Sequence, residues 1–445
     1  MAARATLLIT ALLSSVLLNA VDGTDARAAT FPLRVSADRR HLEDQEGRPF
    51  MVVGDTAWSL VAQLSSDDIE RYLDDRARRG FNAVIVNLIE HKFASNAPAT
   101  RHGVAPFLSQ GDFKRPNPAY FDFAYRAIAH AARRGVSVWL CPAYLGWGGG
   151  DEGFFKEIKA AGPDALRSYG EFVGKRFRDL PNIVWMPGGD YALAPSERWA
   201  AEQLVRGLRD GGASQPMTAH GGQTSAVETF GDQQWLAIDT VYSYADDLRP
   251  FLSAAYRRQP LRPFVMIEST YEGEHNAKPE RIRRQAWTSM LSGAAGQFFG
   301  NNPMWHFDGP TLFPHADDWR QALDSVGARD ISRLAAFFSA RSWWSLSPAR
   351  ENVIGAGTSS AMAAQSADGR LAVVYVPANG AGPVALTLNL QALPPTVTAH
   401  WFNPARDEPL RHGPAIARNR DGQRLETPGD NGTGANDWVL VLQAR

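Results

Sequence analysis

From Phe50 to Gly300 the chain repeats one unit: a short apolar run, a polar loop, then an amphipathic helix. Apolar runs without polar alternation are strands buried on both faces, and strands joined through helices run parallel. The runs lie at Phe50–Asp55, Phe81–Ile89, Val136–Ala143, the stretch opening at Asn182, Met217–Ala219, Ile238–Ser243, Phe264–Ile267 and Gly296–Gly300. Helical segments between them reach to Arg79 from a Ser65-Ser-Asp-Asp cap, then span Pro118–Arg134, Asp164–Asp179, Pro195–Arg209, Leu248–Arg258, Pro279–Leu291 and the region 317–339. Eight evenly spaced units predict an α/β fold, a (β/α)8 TIM barrel, over a doubly wound open sheet.

The texture changes near Ser345. Leu371-Ala-Val-Val-Tyr-Val, Val384-Ala-Leu-Thr-Leu-Asn-Leu, Val397-Thr-Ala-His-Trp-Phe and Trp438-Val-Leu-Val-Leu are short strands parted by Gly, Pro and Asp turns. They predict a small all-β sandwich as an accessory domain. Ahead of the barrel, Leu33-Arg-Val-Ser and Arg48-Pro-Phe flank an Asp-Gln-Glu-Gly turn and read as a hairpin.

Residues 1–28 read as a signal peptide: Arg4, an apolar core from Ala5 to Leu18, then small-residue cleavage patterns at Ala20 and Ala28. The expected division is signal 1–28, barrel 29–344 and β-sandwich 345–445. The expected location is secreted or periplasmic, with a bacterial source and no membrane span after signal removal. With 46 basic and 47 acidic residues, nothing in the charge balance points to nucleic acid. The single cysteine, Cys141, precludes an intramolecular disulfide and sits in an apolar strand, as a structural thiol would.

Barrels keep their chemistry at the carboxyl ends of the strands. Those ends carry Asp55 and Trp58, Asn87 and His91, Tyr144 and Trp147, Asp190 and Tyr191, His220, Tyr242, then Glu268, Tyr271 and Glu272, and finally Trp305. Any one of them has a structural reading as a cap, a packed ring or a satisfied core histidine. Asp190 and Glu268 stand apart, because each directly follows a buried apolar strand where an unpaired acid is costly. The fourth and seventh strands face each other across an eight-strand ring. Two carboxyls so placed suit glycoside hydrolysis, one giving a proton to the leaving oxygen and the other attacking carbon or activating water. Nearby Trp and Tyr rings offer flat faces to sugar C–H groups.

Other chemistries fit less well. Gly54-Asp55-Thr56 stands where a metal-dependent barrel hydrolase would carry His-x-His, so neither a metal nor an organic cofactor is expected. Gly148-Gly-Gly-Asp-Glu-Gly153 matches a dinucleotide fingerprint in form only, since it lies in a loop of the third unit. There is no Walker loop and no Gly-x-Ser-x-Gly elbow.

Gly54-Asp-Thr-Ala-Trp58, Gly80-Phe-Asn82, Trp185-Met-Pro-Gly-Gly-Asp190 and Glu268-Ser-Thr-Tyr-Glu272 together resemble the apiosidase-like glycoside hydrolases. That resemblance implies a secreted TIM barrel followed by a β-domain labelled collagen-binding. It also implies release at apiose in the side chains of the pectin rhamnogalacturonan II. By it, Asp190 is the acid/base and Glu268 the nucleophile, acting on an oligosaccharide or polysaccharide, and the opposed strand-end pair leads to the expectation of retention. The alternative is a barrel that has lost its chemistry and binds carbohydrate or matrix without turnover.

Overall fold

The computed structural model describes residues 29–316, 318–355, 360–380, 382–389, 391, 393–394, 396–413, 415–416 and 422–444. The expected signal segment therefore lies outside the described residues. Seven parallel strands form one curled sheet, in the order Ile183–Trp185, Ser137–Cys141, Ala83–Asn87, Val52–Thr56, Gly296–Phe299, Phe264–Glu268 and Asp239–Tyr242. Every residue in them is buried, as helices packed around a barrel require.

The expected fifth strand, Met217–Ala219, forms no ladder. Met217 bridges Trp185 and His220 bridges Gly188, both in parallel sense. On the other side the main chain supplies Ala237 N–H to Met217 O at 3.0 Å. Threonine hydroxyls make the rest, from Thr218 to Ile238 O at 2.8 Å and from Thr240 to Ala219 O at 2.7 Å. The segment fills the remaining position of the TIM barrel, joined by main-chain bonds on the Ile183–Trp185 side and largely by threonine hydroxyls on the other.

Two helical expectations are corrected. The helix placed at Asp164 begins at Phe155 and runs to Phe177, bent at Gly162 with φ of 80°. Pro163 marks that bend, so the preceding loop is shorter than expected. The region 317–339 divides into Trp319–Ala322 and Val326–Ser339, because Ser325 caps a fresh start by accepting from Ala328 N–H. At the amino end, Arg34–Val35, Leu42–Glu43 and Pro49–Phe50 form a three-stranded antiparallel sheet. The Asp44–Gly47 turn therefore joins Leu42–Glu43, not the Leu33–Ser36 segment, to the strand that follows.

The second domain is a sandwich of two antiparallel sheets. Six strands run in the order Leu346–Pro348, Met362–Ser366, Leu371–Val376, Trp438–Ala444, Val397–Phe402 and Arg411–His412, and a pair joins Ala385–Leu388 to Gln423–Glu426. Alternation along the central strands divides their side chains between two cores. Val374, Val376, Leu440 and Leu442 pack with Leu386, Leu388 and Leu425 inside the sandwich. Val373, Tyr375, Val439 and Val441 pack instead on barrel residues Trp287, Phe337 and Phe338. Trp287 stacks on Tyr375 at 5.9 Å between centroids. Beside them Arg283, wholly buried, donates twice to Asp437, at 2.7 Å each, and once to Asp330 at 2.9 Å. Trp343 joins this shared core, whereas its neighbour Trp344 remains exposed.

Candidate active site

The Ile183–Trp185 strand ends at the barrel mouth and turns through Pro187-Gly188-Gly189 into Asp190. Gly188 and Gly189 have φ of 115° and 117°. A Cβ on Gly188 would lie 2.0 Å from His220 O, and one on Gly189 2.2 Å from Tyr144 Cδ2. The protein's own atoms therefore demand both glycines. Asp190 follows with φ of 42°, the left-handed region that non-glycine residues seldom occupy. Opposite it, Glu268 is the last residue of the Phe264–Glu268 strand.

The two acids meet. One oxygen of Asp190, one of Glu268 and a ring nitrogen of His220 all lie within 4.8 Å of one another. His220 Nε2 is 2.9 Å from Glu268 Oε2, and the Asp190 amide N–H donates to His220 Nδ1 at 3.3 Å. With Nδ1 facing a donor, the proton of the neutral ring belongs on Nε2, aimed at Glu268. The other Glu268 oxygen accepts from Tyr244 Oη at 2.8 Å. Tyr144 Oη donates to Asp190 Oδ2 at 2.6 Å, and Asp190 Oδ1 is buried without a hydrogen-bond partner among the described residues.

Burial, then the charge of Asp190, raises the pKa of Glu268 against the pull of His220 and Tyr244. Burial works against charge on His220, but Glu268 and Asp190 outweigh it and hold its pKa above the ordinary histidine value. Burial and the adjacent carboxylates push the phenols of Tyr144 and Tyr244 well up, so both remain donors. The three groups Asp190, His220 and Glu268 are close enough to surround a cation, but one would have to displace the proton on His220 Nε2.

These acids open into a cavity of about 570 Å³. Of the residues expected to touch substrate, Trp58, Asn87, Tyr144, Trp147, Tyr242, Tyr271 and Trp305 line it. The indole N–H of Trp58 donates to Tyr271 Oη at 3.0 Å, which fixes both rings as one wall. His220 lies behind the wall, fully buried, and acts on Glu268 and not on the cavity.

Besides His220, four expected contacts are corrected. Asp55 is buried away from the cavity, accepting from Arg76 Nε at 2.5 Å and Tyr72 Oη at 2.8 Å. His91 turns to Glu157 Oε1 at 2.9 Å with its ring on Phe154. Tyr191 donates to Glu197 at 2.7 Å and packs on Phe155. Glu272 accepts from Asn301 Nδ2 at 2.9 Å and from Gly327 N–H at 2.7 Å, next to the start of the Val326–Ser339 helix, a favourable place for negative charge.

Tyr244, with Tyr242 a strand-end residue of the sixth unit, also lines the cavity, joined by Gln223, Glu274, His275 and Arg281, which strand-end reasoning passed over. Tyr244 had a signal, since Tyr242 and Tyr244 share one face of an extended segment. Phe93 lines the cavity because Glu90 ties down its loop. Glu90 Oε1 accepts the N–H groups of His91, Lys92 and Phe93 at 2.9, 3.1 and 3.1 Å, and Oε2 accepts from Ser59 and Asn87 at 3.2 and 3.1 Å.

Residues 36–345 match the family described as "Apiosidase-like, catalytic domain", and residues 348–443 match "Putative collagen-binding domain of a collagenase". Among solved structures, a glycoside hydrolase family 5 protein from Bacteroides vulgatus superposes with a TM-score of 0.79 at 21% identity, covering 93% of each chain. Another glycoside hydrolase superposes with a TM-score of 0.78 at 22% identity, covering 93% of this chain and 96% of its own. No curated protein matches the sequence. At these identities the structures establish a shared fold, and the family match spans most of the chain. By that match, the chain belongs to the apiosidase-like family of glycoside hydrolases.

Proposed function

We propose that this glycoside hydrolase acts with retention of anomeric configuration, with Glu268 as nucleophile and Asp190 as acid/base. The observation that carries the reading is the approach of the two carboxyls, oxygen to oxygen within 4.8 Å. Retaining pairs stand about 5–5.5 Å apart, whereas inverting pairs leave about 6.5–9.5 Å for a water. The hydrogen bonds support the division of roles. Both Glu268 oxygens accept from protein donors, which suits an ionised nucleophile. Asp190 Oδ1 has no hydrogen-bond partner among the described residues, which leaves a place for the transferable proton.

In the first step Glu268 forms a bond to the anomeric carbon while the bond to the leaving oxygen breaks and Asp190 gives that oxygen its proton. In the second, water attacks the same carbon, Asp190 takes the water's proton, and Glu268 departs as carboxylate. His220 and Tyr244 hold Glu268 through both steps.

The proposed substrate is a plant cell-wall glycan, pectic and apiose-containing, which family membership favours. The cavity lining points the same way about charge. Glu152, Asp190 and Glu268 line it against Arg281, which favours a neutral sugar over a uronate at the reacting centre. Export by the segment 1–28 to a secreted or periplasmic location, from a bacterial source, completes the proposal. Wild type and Glu268→Gln, incubated with pectin-derived oligosaccharides including rhamnogalacturonan II side chains, test it by product analysis and proton NMR of the first-formed anomer. Retained configuration with wild type and no product with the variant are expected. First-formed product of inverted configuration sinks the nucleophile assignment.

A further inference from the structure

The proposed mechanism uses two of the four carboxyls in the cavity wall. A third, Glu274, is 4% exposed and lies on the loop that leaves the Phe264–Glu268 strand. Its Oε1 accepts from the Trp305 indole N–H at 2.9 Å, and it makes no other side-chain hydrogen bond or ion pair among the described residues. A carboxylate withdrawn from water with no cation beside it is costly. As a neutral acid the same group keeps the Trp305 bond on Oε1 and offers an O–H from Oε2.

We propose that Glu274 is a substrate-binding residue that stays protonated and donates its carboxyl O–H to a hydroxyl of the bound sugar. The proposal rests on the glycosidase reading of this cavity. Glu268 faces Glu274 from the strand, and Tyr271 and His275 accompany it on the loop. Tyr244, packed on His275, and Arg281, from the Pro279–Leu291 helix, share the same cavity. None of these supplies a counter-charge in contact. Burial, opposed by the Trp305 hydrogen bond and assisted by the charge of Glu268, pushes the Glu274 pKa up to about 8. A carboxylic acid kept neutral to act as a donor is a known device of enzyme sites.

Above that pH the donor is lost and a negative charge appears beside Glu268, so substrate affinity weakens before the chemical step fails. Difference infrared spectroscopy of the full chain, wild type against Glu274→Gln, reads the carboxyl without any ligand. Expected is a protonated-carboxyl band at neutral pH that titrates away near pH 8, survives in Glu268→Gln and is missing from Glu274→Gln. A Glu274 ionised throughout neutral pH overturns the proposal.

Kinetics on rhamnogalacturonan II oligosaccharides supply the second readout. Glu274→Ala should raise KM roughly 10-fold with kcat much less affected, the loss expected of one hydrogen bond. Glu274→Gln, whose amide still donates, should recover most of that loss and abolish the alkaline rise in KM. A glutamine variant as impaired as the alanine one, or one that keeps the alkaline rise, also overturns it. Turnover surviving in Glu268→Gln would defeat the nucleophile assignment alone, because the infrared result judges Glu274 separately.

Discussion

His220 aims Glu268: its Nε2 stands 2.9 Å from Oε2, and both side chains are buried. Removing the ring leaves one carboxylate oxygen without its donor in a site closed to water. His220→Ala is expected to lower kcat by about 10–100-fold, the rate equivalent of about 1–3 kcal/mol for an orphaned buried acceptor. KM should change little, since the ring lies behind the cavity wall. Steady-state kinetics separate the two, and a loss confined to KM would contradict the positioning role.

The raised Glu268 pKa has a kinetic sign. A nucleophile must be ionised, so activity falls as pH drops through its pKa, and burial together with Asp190 places that limb above the ordinary glutamate value of about 4.3. Asp190→Asn removes the neighbouring charge and should shift the limb to lower pH. The shift is measured with an aryl glycoside, whose leaving group needs no acid. Glu268→Gln should lose roughly 1,000-fold or more on the same compound. An acid limb that stays put in Asp190→Asn would show that the two carboxyls do not titrate together.

The His220 tautomer, with its Nε2 proton aimed at Glu268, leads us to expect a metal-independent reaction. Exhaustive dialysis against a chelator is expected to leave kcat unchanged. Activity lost on dialysis and restored by a divalent cation would mean that Asp190, His220 and Glu268 act as ligands.

Gly189→Ala tests the turn beneath the acid. Its new methyl would collide with the Tyr144 ring at a φ that alanine avoids. A stability loss of about 2 kcal/mol or more is expected, together with misplacement of Asp190 and loss of turnover. Calorimetry and kinetics on the same preparation check both. A fully active, equally stable variant would place the glycines outside the working geometry.

Arg283→Ala removes one half of a buried pair that ties the barrel to the β-domain. Breaking such a pair costs about 3–5 kcal/mol, whereas an apolar substitution of both Arg283 and Asp437 should restore much of it. Because the two domains share an apolar core, wild type is expected to melt in a single calorimetric transition. Two resolved transitions in wild type would argue that the domains unfold independently.

Much of this was legible in the chain because apolar runs, caps and turn residues act locally. The parallel strands and the β-sandwich announced themselves through periodicity. Met217–Ala219 did not reveal its one-sided pairing, since the threonine bonds on its other side join it to Ile238 and Thr240, which are distant in sequence. Asp55 and Glu272 read as substrate contacts at the barrel mouth, for a strand-end acid carries no mark of its partner. Only folding brings Arg76 to one and the amide of Gly327 to the other. Glu274 was hidden for the same reason, its environment being made by Trp305 from another unit.

Glu90 gathers three successive main-chain amides and two side chains on one carboxyl group, and the chain just beyond it carries Phe93 into the cavity wall against Trp305. A rim lashed in this way is a fixed threshold, unlike a lid that swings. The entropy of ordering it is spent once, when the chain folds, and is not charged again at each catalytic cycle. Sugar thus arrives at a mouth already in shape on that side.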